Sequence, residues 1–467
     1  MGQLKFYYKN VTAQIIGDEH GITSKQFDDL DVKTTPFIGK LSAERKAGKT
    51  PYRDLPYNDK LAAKIKKLSD EIRGGCENLV VLGIGGSALG NIALQTALNP
   101  YTYNLDDKFR KYPRLFIFDN VDPDQFGAFL DWIENRLDKT IFNVISKSGR
   151  TAETASQFLI IRKMLLDKLG AKGYKNQVIA TTDPKEGILR KITDADGFRC
   201  MEVPDGVGGR FSVLSAVGLF SAAMCGIDID SLLAGARDMD KLVSKENFCE
   251  NPAALNAAIN YYFYKAGKRN SVMMSYSCAL KDLADWYRQL WAESLGKTND
   301  LSGNKVFVGP TPIKALGTTD QHSQVQLYRE GPNDKLFTFL EVQKFNRTLQ
   351  IGPQPDCAKE LSYLAGKDMG KLMNSEKKAT EYALLKDNRP CLSVLFDEIS
   401  PYTVGQFIYL FEVTTSFAGA LFNINTYDQP AVELGKEATF ALMGKDGYED
   451  LAKEIKPLIE IDKKFLI

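Results

Sequence analysis

From about residue 75 the chain alternates short apolar runs with amphipathic stretches. The runs LVVLGI (79–84), RLFIF (114–118), TIFNVIS (140–146) and NQVIAT (176–181) predict buried strands. TAETASQFLIIRKMLLDKLG (151–170) predicts a helix between the last two. Continuous apolar strands separated by helices indicate a parallel sheet covered on both faces. The alternation resumes with NSVMMSY (270–276), KVFVG (305–309), KLFTFLEV (335–342) and CLSVLF (391–396) as strands. LKDLADWYRQLWAESLGK (280–297) and SPYTVGQFIYLFEVTTSFAGALF (400–422) read as helices. The pattern therefore predicts an α/β protein with two parallel sheets. Residues 183–210, poor in long apolar runs, are expected to pass between them. No Pro-rich, Gly/Ser-rich or single-charge tract marks a flexible linker. Ligands in open α/β sheets sit beyond the carboxyl ends of the strands, so chemistry is sought just after each strand.

Length and composition narrow the class. At 467 residues the chain is long enough for two or three domains. Sixty basic against 59 acidic residues leave a net charge of +1, which offers no global field for nucleic acid or a membrane. Any anion must be held by local groups. Seven scattered cysteines and two histidines make no Cys/His zinc pattern, so reduced thiols and no metal are expected. The start MGQLKFYYKN has no apolar signal core, and the longest mostly apolar run, SAVGLFSAAMCGI (215–227), is too short to span a bilayer. The expectation is a soluble cytoplasmic protein.

Six segments carry candidate chemistry. VVLGIGGSALG (80–90) runs from a strand into glycines and then a helix, where backbone amides can approach an anion. Gly83-x-Gly85-x-x-Ala88 also fits a dinucleotide fingerprint, but the acid at the end of the next strand, Asp119, lies too far on. A plain strand-to-helix turn is the alternative. ISKSGRTAET (145–154) places the hydroxyls of Ser146, Ser148 and Thr151 beside Lys147 and Arg150 at a helix start, a combination suited to a phosphate monoester. N-capping by Ser148 would explain one hydroxyl only. In GVGGRFSVLSAVGLF (206–220), Arg210 is expected at a helix start, where the dipole does not favour a cation, which argues for an anionic partner. In QLWAESLGK (289–297), Gln289 and Glu293 share a helix face. Glu293 falls in the last turn, where the dipole disfavours a negative charge, a place that suits a base; a solvated pair with Lys297 is the alternative. GTTDQHSQVQLYREGP (317–332) holds His322, and NTYDQPAVELGK (425–436) leads from Gln429 into a helix bearing Lys436.

In this order the six segments resemble the glucose-6-phosphate isomerase family, of the bacterial type, over residues 83–436. The resemblance implies two sugar-isomerase-type subdomains, one over residues 55–200 and one from 1–54 plus 201–467, usually in a homodimer. It implies Gly86, Ser87, Ser146, Lys147, Ser148 and Thr151 around a phosphate, with Gln289 and Gln429 bracketing the sugar phosphate. It implies Glu293 as the base between C2 and C1, Arg210 as the partner of the enediolate, and His322 and Lys436 in ring opening. His322 is often given by the neighbouring subunit in this family. No cofactor, metal, nucleic acid or membrane is implied. Arg150 stands where the family usually has a small hydroxyl residue, and Ala431 replaces a common glycine. A non-catalytic sugar-phosphate binder would keep the SKSGRT cradle but need not keep Glu293, Arg210, His322 and Lys436 together. A nicotinamide-dependent oxidoreductase is the other competing class.

Overall fold

The computed structural model describes residues 2–467. Its strands, in chain order, are β1 (Leu4–Tyr7), β2 (Asn78–Leu82), β3 (Arg114–Phe118), β4 (Thr140–Ile145), β5 (Val178–Thr182) and β6 (Arg199–Glu202). They continue with β7 (Asn270–Ser275), β8 (Lys297–Asn299), β9 (Lys305–Val308), β10 (Thr311–Leu316), β11 (Lys335–Val342) and β12 (Cys391–Phe396). One sheet runs β3-β2-β4-β5-β6, parallel throughout. The other runs β10-β7-β11-β12-β1, parallel except for β1, which joins β12 antiparallel. Every residue of β2, β4, β5 and β11 is buried, as the unbroken apolar runs require.

Two expectations are corrected. Residues 183–210 are not simply a passage between the sheets. They contain the helix Ile188–Asp196 and then β6, the fifth strand of the first sheet. β6 is an edge strand with only Met201 fully buried, so it lacks the apolar run that marks a central strand. The run 305–309 does not enter the second sheet. It pairs with β8 as a two-stranded antiparallel ribbon, with Phe307 exposed, and β10 takes the place beside β7.

The helix Pro401–Leu421 is buried along nearly its whole length and forms the spine of the second unit. It crosses the helix Ile229–Val243 at Gly235 and Gly405, where a Cβ would lie 1.9 Å from a facing carbonyl oxygen. Beside this crossing, Arg45, Arg53, Tyr57 and Tyr409 all donate to the buried Asp240 carboxylate at 2.7–3.0 Å. These bonds hold the Asp240 carboxyl below its ordinary value despite burial, and they tie the N-terminal segment to the two helices. Among the described residues no helix is long and apolar enough to cross a membrane. The C-terminal helices Glu433–Leu442 and Glu449–Ile459 leave Leu434, Leu442, Met443, Leu458 and Ile459 exposed.

Candidate active site

The first part of the site is built where β4 ends. The chain turns through residues 146–151 and enters the helix Ala152–Gln177. Ser146 Oγ accepts from the Gly149 amide at 3.0 Å, and Ser148 Oγ accepts from the Arg150 amide at 3.2 Å. The N-cap is Thr151 rather than Ser148, and its side chain makes no cap bond. The first-turn amides therefore stay without a side-chain acceptor at the mouth of a cavity of about 520 Å³, lined by Ser87, Ser146, Lys147, Ser148, Arg150 and Thr151. Hydroxyls, two cations and a helix N-terminus converge there, an arrangement with the donors and charge suited to an anion. Asp183, Glu186 and Gly187, which follow β5, complete the wall. The only sequence signal for these three is their place just after a strand.

The glycines after β2 join this cradle to the second unit. Gly86 packs so closely on the Gly209–Arg210 backbone that a Cβ would sit 2.1 Å from the Gly209 carbonyl carbon. A Cβ on Gly85 would lie 3.0 Å from Gln289 Nε2. The loop after β2 and the Arg210–Gln289 region are thus in direct contact, and at Gly86 only glycine permits the approach.

Arg210 is buried, and it lies in a single 3-10 turn over Gly209–Phe211 rather than at the start of the following helix, Ala216–Met224. Its Nε donates to Ser294 Oγ at 2.7 Å, Nη1 to Gln429 Oε1 at 2.8 Å, and Nη2 to the carbonyls of Thr426 and Asp428 at 2.7 and 3.2 Å. Nη1 also stands 3.5 Å from Glu293 Oε1. Burial pulls the guanidinium below its ordinary pKa, against the opposing charges of Glu293 and Asp428. Gln289 Nε2 donates to Glu293 Oε2 at 3.1 Å, as the four-residue spacing predicts, while Gln289 Oε1 is buried without a partner. Gly296 caps the helix Lys281–Leu295.

Lys297 does not pair with the Glu293 carboxylate. Its Nζ donates to the carbonyls of Glu293 and Asp428 at 2.8 and 2.9 Å, with the side chain 8% exposed. Burial lowers its pKa, and Asp428 works against that. Lys297 thereby clamps the end of the helix to the Asp428–Gln429 segment, a role that the sequence pattern, which suggests a solvated lysine, does not signal. Glu293, Lys297, Gln429 and Ala431 line a second cavity of about 300 Å³.

The remaining residues lie apart. His322 is exposed at the end of the short turn Thr319–Gln321 and lines neither cavity. Lys436 is exposed on the helix Glu433–Leu442 and pairs with Glu433 at 2.6 Å. Arg150 sits in the cradle wall. Within one chain the geometry thus assembles Gly86, Ser87, Ser146, Lys147, Ser148, Thr151, Arg210, Gln289, Glu293 and Gln429, but not His322 or Lys436.

Comparison with known proteins bears on the family and the fold. The sequence model described as phosphoglucose isomerase matches residues 52–447. A glucose-6-phosphate isomerase of Carboxydothermus hydrogenoformans is 45% identical over 454 residues, 97% of each chain. Another, of Rubrobacter xylanophilus, is 40% identical over 96% of this chain and 100% of its own. A crystal structure of a hypothetical protein from Thermus thermophilus superposes with a TM-score of 0.83 at 33% identity, covering 95% of this chain and all of the other. A glucose-6-phosphate isomerase structure from Chlamydia trachomatis shares the fold, with a TM-score of 0.73 at 24% identity over 86% of this chain and 77% of the other. The chain belongs to the phosphoglucose isomerase family.

Proposed function

We propose that this protein interconverts glucose 6-phosphate and fructose 6-phosphate through a cis-enediolate, without metal or redox cofactor, in glycolysis and gluconeogenesis. The observation that carries this reading is the contact of one carboxylate, Glu293, with one buried guanidinium, Arg210, next to a phosphate cradle. Aldose–ketose isomerisation requires a phosphate anchor, a base and a cation at the developing oxyanion. In this scheme Gly86, Ser87, Ser146, Lys147, Ser148 and Thr151 hold the phosphate. Glu293 removes the proton at C2 and returns it at C1, or the reverse. Arg210 stabilises the enediolate. Gln289, whose Oε1 is free to accept from a sugar hydroxyl, and Gln429 orient the chain. His322 and Lys436 serve ring opening, and the exposed place of His322 fits donation to the site of a second copy in a homodimer. The exposed apolar side chains of the C-terminal helices support such an assembly. The same reading takes residues 55–200 as the phosphate-holding subdomain and the rest as the second, in a cytoplasmic protein.

A non-catalytic sugar-phosphate binder has no need of a carboxylate against the buried arginine. Turnover of fructose 6-phosphate by Glu293→Gln is expected to fall by about 10²- to 10⁴-fold, while 6-phosphogluconate still binds. Near-normal turnover in that variant would sink the assignment.

A further inference from the structure

The two sheets share one strand order. In the first, the successive strands β2, β3, β4 and β5 lie as β3-β2-β4-β5, and in the second the successive parallel strands β7, β10, β11 and β12 lie as β10-β7-β11-β12. β11 is therefore the topological counterpart of β4, the strand that feeds the phosphate cradle. The sequence repeats as well. β4 is followed by Ser146-Lys147-Ser148-Gly149-Arg150-Thr151, and β11 by Gln343-Lys344-Phe345-Asn346-Arg347-Thr348. Lys-x-x-Arg-Thr thus begins two residues past the strand in both units. Beyond β11 lies a cavity of about 530 Å³, close in size to the cradle's. Lys344, Arg347, Lys371 and Lys378 reach it from the loop and from the helix Met369–Lys386.

The acids in its wall are already engaged. Glu341 pairs with the buried Lys377 at 3.0 Å, and Asp368 accepts from the Leu349 and Lys371 amides at 3.2 Å. No ion pair among the described residues neutralises the four cations. We propose that this cavity, the counterpart of the phosphate cradle in the second unit, binds a small anion carrying two or more phosphates.

The differences from the cradle select that class over a sugar monophosphate. Gln343 and Phe345 stand where the cradle has Ser146 and Ser148, and Asn346 stands where Gly149 bends the cradle loop. Two of the loop's hydroxyls and the glycine's close backbone approach are lost, Thr348 and Ser375 still line the space, and Asp368 occupies the helix N-terminus with its own charge. The four cations outnumber the remaining hydroxyls of Thr348 and Ser375 around an open space, and long, flexible, positive side chains reward ligand charge more than ligand shape.

The test titrates inorganic pyrophosphate into the full-length protein by calorimetry at about 0.15 M salt, where long-range attraction is screened. Two sites are expected in the parent. Lys147→Ala with Arg150→Ala should weaken one of them, and Lys344→Ala with Arg347→Ala the other, by at least about tenfold. Thermal midpoints within error of the parent should show that the exposed Lys344 and Arg347 were removed without unfolding. The control pair Lys163→Ala and Lys168→Ala, on the surface of the helix Ala152–Gln177, should change neither site. The proposal is overturned if the second site is missing, or if the control pair weakens it as much as the Lys344/Arg347 pair. It is also overturned if a single-stranded oligonucleotide binds this face more tightly than pyrophosphate does.

Discussion

Arg210 uses every arm of its guanidinium: one on Ser294, one on Gln429 and Glu293, and one on two main-chain carbonyls. A planar fork with fixed donor directions meets all of these, and an ammonium on a flexible stem does not. Arg210→Lys is therefore expected to lower kcat on fructose 6-phosphate by about 10²-fold, with a smaller change in KM, because the phosphate anchor lies on other residues. Steady-state kinetics separates the two, and a raised KM at unchanged kcat would make Arg210 an anchor instead. The candidate segments were legible in the sequence because strand-to-helix turns, hydroxyl clusters and four-residue helical spacing are local signals, while the role of each residue came only from the resemblance. How Lys297 is placed was not legible. Its apolar stem is buried and its amine bonds to carbonyls, one of them 131 residues away, and no neighbouring residue type announces that. The side-chain partners of Arg210 were equally hidden, since Ser294 and Gln429 meet it across 84 and 219 residues.

Packing between elements depends on a few polar nodes, and Asp240 is the most heavily used. Its carboxylate takes bonds from two arginines and two tyrosines on three separate segments of the chain. Asp240→Asn leaves the buried Arg53 without a balancing charge and Arg45 with only the exposed Asp54, and a loss of about 3 kcal/mol in unfolding free energy is expected. Because the folded state lowers the Asp240 carboxyl from its ordinary 3.8, its stabilisation is fully present above that pH and disappears as pH falls through the folded value. Denaturant melts of parent and variant should therefore differ at neutral pH and converge in acid; a constant gap across the range would contradict the assignment. Central strands and long helices were readable from their apolar periodicity, with β11 and β12 matching to the residue, and so was the edge strand β3, whose run RLFIF is unbroken. The edge strands β1, β6 and β10 were not, because a strand half open to solvent carries a broken pattern, and β1 pairs with β12 some 390 positions away. The run 305–309 misled for the converse reason: it is apolar, but it forms an exposed ribbon.

At the scale of the whole molecule, one chain brings the phosphate cradle, Glu293 and Arg210 together and leaves His322 outside. If His322 serves a neighbouring copy, two inactive variants should repair each other. Refolding Glu293→Gln together with His322→Ala gives mixed dimers with one intact site each, and about a quarter of parental activity is expected if subunits pair at random. Activity no higher than the average of the two separate variants would place His322 with its own chain. The Gly86–Gly209 contact has a consequence of its own at this scale. On the proposed function, one step between the phosphate anchor and Glu293 is main chain resting on main chain, Gly86 on Gly209, and Arg210 then carries it to the carboxylate. Such a spacer works as a ruler. On the proposed function it would measure the substrate from its phosphate end and set which carbon lies under Glu293, so chain length would be sensed in part by the backbone.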